Sequence, residues 1–599
     1  MLHRFVRFVP VAIFAVLLSG CGGGGGARSV PTAPGNPQQQ PASIASAANA
    51  GVPQAAPRGI RVSVHLPLRN SAQLDTLLQS QADKNSPEYH HFITPEQFRS
   101  TYGPSSADLA TAAATLAALG FTTRLTSQSI IADAPQTVVE RSFGVRMTQS
   151  LVRGKTTLSV DRAPTLPAAL AKAGATVSFS PLTMHVNSRR AQQAAFVPQN
   201  RYSPEGPYWF DDLKQAYGYP SYERLNGAGR TIGIVMSSDV LDSDLALYFG
   251  HEKLAPPSVT RRPVDGGPPA FDPNNGASDE ASLDVQQSFG SAPGASIMLY
   301  DIPDLSDSSI LDAYTAAIDE NKVDIVSSSF GLCELYYTKA YNGGTDFTFI
   351  LQQYHDLFRQ GNAQGITFVA SSGDNGAYDC ENVAGTKFIK GVESPADDTD
   401  VTGVGGTNLI TASIANSLRS TYVSENAYFD PFDPAQGALP NEIWGSGGGI
   451  SVIFPKPWYQ RLVNTRADTR TVPDIALHMG GCPVGSIQPC AVERSSDITA
   501  IGGSFYLLIG TSASAPDLAG LLAVQEQRIG SRLGNANGDI YLLNAIGGSS
   551  VYRHPPGDNG YATHPEYDYV VGNGTPHAAD FALDPFGPLA GNPQTPSNP

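Results

Sequence analysis

Residues 507–528 read LLIGTSASAPDLAGLLAVQEQR. Leu507, Leu508 and Ile509 form a short apolar run that stops at Gly510, as a buried strand would. Beyond Ser512 the apolar residues recur at helical spacing. The stretch therefore reads as strand, tight turn, helix, with Ser512 at the helix start. A serine at this junction has two advantages. Its own backbone N–H faces an incoming carbonyl oxygen, and the helix N-terminus favours developing negative charge. Pro516 is expected near the first turn, where its missing N–H costs little. Ser514 lies further into the helix and is expected to pack. Ser512 is thus a candidate nucleophile, and the question is what takes its proton.

Working outward, strand and helix patterns alternate from Gly229 onward. The apolar runs RTIGIVM (230–236), SIMLYDI (296–302), VDIVSSSF (323–330) and ITFVASSG (366–373) alternate with helix-like stretches such as 308–322 and 347–365. Continuous apolar strands between helices predict a mainly parallel sheet with helices on both faces. Ligands of such sheets gather at the carboxyl ends of strands. The chemistry is therefore expected just after SSSF, just after SSG, and at Ser512.

No histidine has a context that suits a base. His251, in YFGHEKL, is the best placed and reads as an ordinary surface histidine. Carboxyl groups offer a replacement. In ASDEASLDVQQSFGS (277–291), Glu280 and Asp284 are four residues apart, so a helix places both on one face. Ser278 or Asp279 is expected to cap that helix. Like charges at this spacing repel, and a pair sharing a proton is one way the spacing becomes useful. Asp374 follows an apolar strand in SGDNG. An Asp donates a hydrogen bond only when protonated, which needs low pH or a raised pKa.

The chain ends and composition bound the class. The chain has 599 residues, a net charge of −16 and a pI near 5.1, with no long basic run. That excludes a nucleic-acid partner, since phosphate binding needs clustered Lys and Arg. MLHRFVRFVP followed by VAIFAVLLSG reads as a signal peptide over 1–20. LLSGC resembles the bacterial lipobox, which implies Cys21 as the acylated residue of an exported lipoprotein. The protein would be anchored at the outer membrane or cell surface, or periplasmic or extracellular after processing, with the lipid as its one membrane contact. Residues 21–58 read as a flexible tether. Cys333, Cys380, Cys482 and Cys490 remain, and export favours oxidation. The pairings expected are Cys333–Cys380 and Cys482–Cys490.

Residues 59–190 read as a small α+β unit, with strands in GIRVSVHLPL, SQSIIADAP and KTTLSVDR and helices in 71–84 and 105–119. Gly120 is a helix stop. Residues 187–206 are polar and turn-rich and read as an exposed connector, with 191–206 as the processed linker. The catalytic unit is expected over 207–584, and the tail 585–599 is expected to be disordered.

SPEYHHFITPEQFRSTYGPS (86–105) closely resembles the propeptide of sedolisin (kumamolisin-type) peptidases. ASLD around Glu280 and Asp284, SGDNGAYDC, VTGVGGT, WGSGGGIS, VPDIAL and GTSASAP follow in the order and spacing of that family. The chain resembles a sedolisin-family serine-carboxyl peptidase over roughly 59–580. The resemblance implies a subtilisin-like catalytic domain behind an activation domain, and an endopeptidase made as a zymogen. It implies Ser512 as nucleophile, Glu280 as general base, Asp284 as its positioning partner, and Asp374 as a protonated oxyanion donor. A histidine of ordinary pKa about 6.5 is charged in acid and useless as a base there, whereas a carboxylate is suited. An acidic optimum is expected. Protein and peptide substrates, and the chain's own propeptide as inhibitor, are the expected partners.

Specificity is poorly encoded. Phe330 stands where many relatives have Trp, near the cleft; Gly448 is placed to let a peptide approach; Glu393 either meets a basic side chain in the first pocket or is solvated. The family's calcium site is broken: Arg553 falls where its first Asp should be, and His564 and Glu566 replace two glycines. No cofactor is expected, with the Arg553 guanidinium pairing with Asp568. Calcium, with Asp568 as a ligand, is the alternative. The rivals to the endopeptidase reading are a catalytically silent surface-binding protein, a tripeptidyl-peptidase mode, and an esterase.

Overall fold

The structure, a computed structural model, describes residues 59–152, 155–178, 182–193, 206–414, 419–427, 429–431, 439–481, 495–581 and 583. The expected signal and tether with Cys21, most of the linker, the pair Cys482 and Cys490, and the C-terminal tail lie outside them.

The N-terminal domain is built on an antiparallel sheet. Ile60–His65 runs between Ser129–Ala134 and Thr176–Ser178, with Thr122–Leu125 on the outer edge. Helices Ser106–Leu119 and Gln136–Phe143 cover it, burying Leu116, Val139 and Phe143 against Val62, Val64, Ile130 and Ala132. Gly120 ends the first of these helices at φ 102°, a conformation that suits a residue without a β-carbon. Within the FITPEQF stretch, Thr94 and Gln97 form a reciprocal capping box that starts helix Pro95–Thr101.

The second domain is a subtilisin-like α/β fold. Its central sheet contains β1 (Thr231–Met236), β2 (Val259–Pro263), β3 (Ser296–Asp301), β4 (Ile325–Ser328), β5 (Thr367–Ser371), β6 (Thr402–Ser413), β7 (Ser420–Asn426) and β8 (Ile475–His478). The order is β2-β3-β1-β4-β5-β6-β7, with β8 also paired to β6. Only β7 joins antiparallel. Ile232, Ile234, Ile325, Val326, Val369 and Ala370 are buried in it, as covering on both faces requires. Four helices matter here: α1 (Gly276–Ser291), α2 (Asp307–Glu320), α3 (Thr348–Ala363) and α4 (Thr511–Ile529). Helices α1 and α4 pack together on one face, and α2 and α3 pack together on the other.

The N-terminal domain docks on α2 and α3. Arg61 pairs with Asp265 and lies 3.5 Å from Asp312. His65 Nε2 meets Asp356 Oδ2 at 3.1 Å. Arg359 bonds the Ser71 carbonyl at 3.0 Å and the Asp75 carboxylate. Gln128 Nε2 donates to Gln360 Oε1 at 2.6 Å. Leu74, Phe98 and Tyr102 close over Ala363.

Several expectations need correction. His251 is not an ordinary surface histidine: its ring stacks on Trp209 at 3.6 Å. Helix α1 is capped by Asn275, whose side chain accepts from the Ala277 N–H. Pro516 lies in the second turn of α4, not the first. Its missing N–H leaves the Ser512 carbonyl without its intrahelical bond, and Ser329 Oγ approaches that carbonyl at 3.4 Å. Asn187 is buried and not part of an exposed connector, as described below.

Candidate active site

The site forms where α1 and α4 meet beside the ends of β4 and β5. A close approach of the two helices allows it. A β-carbon on Gly520 would stand 2.2 Å from that of Ser291, so a side chain there would push α4 away from α1. Gly510, at φ 146°, turns the strand Ser504–Ile509 into α4 and sets Ser512 in its first turn.

Ser512, Glu280, Asp284 and Asp374 come together, and three of them are fully buried. Ser512 Oγ donates to the Ser329 carbonyl at 3.4 Å. Ser329 Oγ donates to Asp284 Oδ1 at 2.6 Å. Neither carboxylate oxygen of Glu280 is in hydrogen-bond geometry, nor is Asp284 Oδ2. Burial first, then the Asp284 charge, push Glu280 well above the usual carboxylate range, while the nearby Ser188 and Ser512 hydroxyls pull it partly back. Burial raises Asp284 as well, against the Ser329 hydrogen bond. Two carboxyls this close in a dry site favour a shared proton. Asp374 Oδ1 accepts from the Thr511 N–H at 2.7 Å and the Thr511 hydroxyl at 2.8 Å. Burial outweighs those bonds, and Asp374 is pushed up to about 8.

The cleft is filled by the chain itself. Strand His185–Val186 pairs antiparallel with Phe330 and Gly331. Strand Arg189–Gln193 pairs with Ser504–Ile509. Between them Asn187 is 1 % exposed, and its carbonyl accepts from the Ser512 N–H at 3.0 Å. This corrects the connector expected here. The segment has no apolar periodicity to reveal it, because backbone pairing to the cleft edges holds it.

Phe330 is buried in the core and meets the segment through its backbone. Glu393 is 1 % exposed and so not solvated. It touches His185 Nε2 at 3.0 Å and Asn187 Nδ2 at 2.9 Å. Gly448 approaches the protein's own loop, since a β-carbon there would meet the Tyr569 carbonyl at 2.2 Å and the Pro473 ring at 2.9 Å. Cys333 and Cys380 form the expected disulfide.

Arg553 does not pair with Asp568. Its guanidinium lies over the Tyr422 ring at 4.0 Å and reaches the Pro576 carbonyl at 3.3 Å. Asp568 accepts backbone N–H bonds from His564, Val570 and Val571 at 2.8–2.9 Å. Both its oxygens are so engaged, whereas calcium needs six to eight oxygen ligands.

Sequence reading missed a second acidic group, His355 with Asp398 and Asp400. His355 Nδ1 meets Asp398 at 3.0 Å. Burial disfavours its cation, but Asp398 and Asp400 prevail and raise it to about 9. A protonated imidazole is no base, and it donates from Nδ1 to the Asp398 carboxylate. The spacing signal was absent because 43 residues separate His355 from Asp398.

Residues 48–183 match the pro-kumamolisin activation domain, and 270–546 match the subtilase family. Kumamolisin from a Bacillus species is 28% identical over 84% of this chain and 87% of its own length. Sedolisin from a Pseudomonas species is 26% identical over 86% of this chain and 83% of its own. A solved Pseudomonas sedolisin, a serine-carboxyl proteinase complexed with pseudo-iodotyrostatin, superposes with a TM-score of 0.52 at 25% identity, covering 63% of this chain and 97% of that one. An activation domain ahead of a subtilase-fold catalytic domain defines a peptidase zymogen. Within that class, the chain resembles sedolisin-type serine-carboxyl peptidases over most of its length.

Proposed function

We propose that this peptidase is an acid-active endopeptidase in which Ser512 attacks, Glu280 takes and returns the proton, and Asp374 donates to the oxyanion. The observation that carries the reading is the buried carboxyl pair beside Ser512, with no hydrogen-bond geometry to Glu280 among the described residues. A buried carboxylate left unpartnered costs stability unless it serves chemistry. With the pair's shared proton resting on Asp284, Glu280 accepts the Ser512 Oγ proton as Oγ attacks the scissile carbonyl. Protonated Glu280 then delivers it to the leaving amine. Asp284 acts through Glu280, holding its orientation and sharing the proton. The Ser512 N–H and protonated Asp374 receive the oxyanion.

The pH sense follows. Asp374 donates only while protonated, so its contribution is present well below about 8 and is lost as the pH rises through that value. The chain is held beyond the three residues that end at the Ser512 contact, His185–Asn187: the Met184 N–H bonds the Leu305 carbonyl at 2.8 Å. That favours an endopeptidase over a tripeptidyl mode. The engaged oxygens of Asp568 favour a fold that needs no calcium. The lipobox-like stretch around Cys21 favours export with a lipid anchor.

The test is protein lacking residues 1–21, taken to about pH 4 with denatured protein as substrate, beside Ser512→Ala. Cleavage by wild type alone supports the reading. Equal behaviour of the two, or flat activity from about pH 4 to 8, sinks it.

A further inference from the structure

We propose that Asn187–Ser188 is the peptide bond this enzyme cuts in its own chain, and that Glu393 selects the side chain ahead of the cut. The proposal rests on the serine-carboxyl reading above and goes beyond it to one bond and one pocket.

Four observations converge on that bond. The Asn187 carbonyl oxygen takes the Ser512 N–H at 3.0 Å, the position where an oxyanion would form. The Asn187 N–H donates to the Ser329 carbonyl at 3.2 Å, which fixes the peptide on the near side. The chain is paired on both sides of the bond, by His185–Val186 with Phe330 and Gly331, and by Arg189–Gln193 with Ser504–Ile509. A bond clamped on both sides has lost the freedom that would otherwise oppose attack. A β-carbon on Gly510 would meet the Asn187 oxygen at 2.3 Å and Asp374 Oδ2 at 2.8 Å, so both oxygens border one spot.

The Asn187 side chain shows what the pocket recognises. Its Nδ2 donates to Ser371 Oγ at 3.0 Å and to Glu393 Oε2 at 2.9 Å. Its Oδ1 has no hydrogen-bond partner among the described residues. The pocket therefore rewards donors and leaves an acceptor unsatisfied. Gly331 keeps it open, because a β-carbon there would stand 2.2 Å from Glu393 Oε2. Side chains ending in N–H donors, Asn, Gln, Lys or Arg, suit such a floor. A carboxylate does not, since it would lie against Glu393.

The step balances within the chain and one water. The Ser512 Oγ–C bond to Asn187 forms as the Oγ proton passes to Glu280. The Asn187 C–N bond breaks, and the proton goes to the Ser188 nitrogen, which leaves as a new amino terminus. Water then attacks the ester, gives a proton to Glu280, and releases the Asn187 carboxyl as Ser512 regains its proton.

The experiment uses protein lacking residues 1–21 at acid pH, sampled early and at several dilutions. The ends of both first products are read by N-terminal sequencing and intact mass. The expected result is a large product beginning SRRAQQ, a small one ending at Asn187, and a first-order rate unchanged by dilution. A first cut at any other bond overturns the proposal while leaving the peptidase reading intact. So does uncut protein that still digests added denatured protein. If wild type and Ser512→Ala alike neither cut themselves nor digest anything, both readings fall. Asn187→Asp is expected to slow self-cleavage tenfold or more at pH 6, with recovery at lower pH as the new carboxyl protonates, while Asn187→Lys is cut at least as fast as wild type. Equal rates for Asp and Lys at pH 6 would overturn the role given to Glu393.

Discussion

Glu280 and Asp474 are both fully buried carboxyls in the second domain, and they are treated in opposite ways. Asp474 accepts from Arg470 through both guanidinium nitrogens, from Tyr541 Oη at 2.8 Å and from the Gly403 N–H at 2.8 Å. Among the described residues Glu280 accepts from nothing in hydrogen-bond geometry, and it has a second carboxyl, Asp284, one helical turn away. A charge buried with donors on every side is architecture. A charge buried without them is a cost that folding alone does not explain. The difference separates structural from chemical carboxyls better than burial or sequence spacing does.

The comparison breaks if the two residues respond alike to substitution. Glu280→Gln is expected to lower kcat/KM by three orders of magnitude or more, with a melting temperature unchanged or higher. Folded Glu280 has a raised pKa, so its contribution to stability is fully present below the ordinary carboxyl pKa and lost as the pH rises. This site should therefore add stability as the pH falls from neutral to acid, and Glu280→Gln should remove that contribution from the pH dependence. Asp474→Ala should do the reverse. It strands a buried Arg470 cation and costs about 3–5 kcal/mol, while the folded remainder keeps its activity. Thermal melts across pH with activity assays on the same samples check both.

Asp374 sharpens the comparison because it sits between the two extremes, partly satisfied by Thr511 yet raised to about 8. Asp374→Ala is expected to cost about 10²–10³ in kcat, as loss of one oxyanion donor does. Asp374→Asn keeps a donor at every pH. It should retain much of the acid activity and abolish the fall near pH 8. A pH–rate profile that still falls there would assign the limb to another group.

The fold was legible because its signals are local. Apolar runs alternating with helical spacing gave the parallel sheet, and Gly510-Thr511-Ser512 gave the turn that carries the nucleophile. The Glu280–Asp284 pair was legible because four residues make one helical turn. What was not legible depends on partners far along the chain. Asn187 looked like connector, yet its environment is supplied by Ser329, Ser371, Glu393 and Ser512, at least 142 residues away. Arg553 and Asp568 looked like a pair, but an aromatic face at Tyr422 and three backbone N–H groups satisfied them separately. Polar residues do not announce which of several partners they will take.

The smallest effect is expected at the docking face, where acid would loosen the N-terminal domain. Asp356 lies on α3 facing His65 of that domain, with His355 and Arg359 beside it. Burial alone would raise its pKa, but the His65 hydrogen bond and the three positive neighbours prevail, and it is lowered. A lowered carboxyl gives stability that is present above its ordinary pKa and lost as the pH falls through the folded value. Protonation would leave His65 and Arg359 facing a neutral group, and their attraction across the interface would fade. One such contact among several should move activation modestly. Asp356→Asn is expected to speed self-processing about two- to fivefold at pH 5, and the gap should close as the pH falls through the lowered folded value and wild type protonates. Equal rates for the two proteins at pH 5 would place the acid trigger elsewhere, with the Arg61–Asp265–Asp312 cluster as the next group to change.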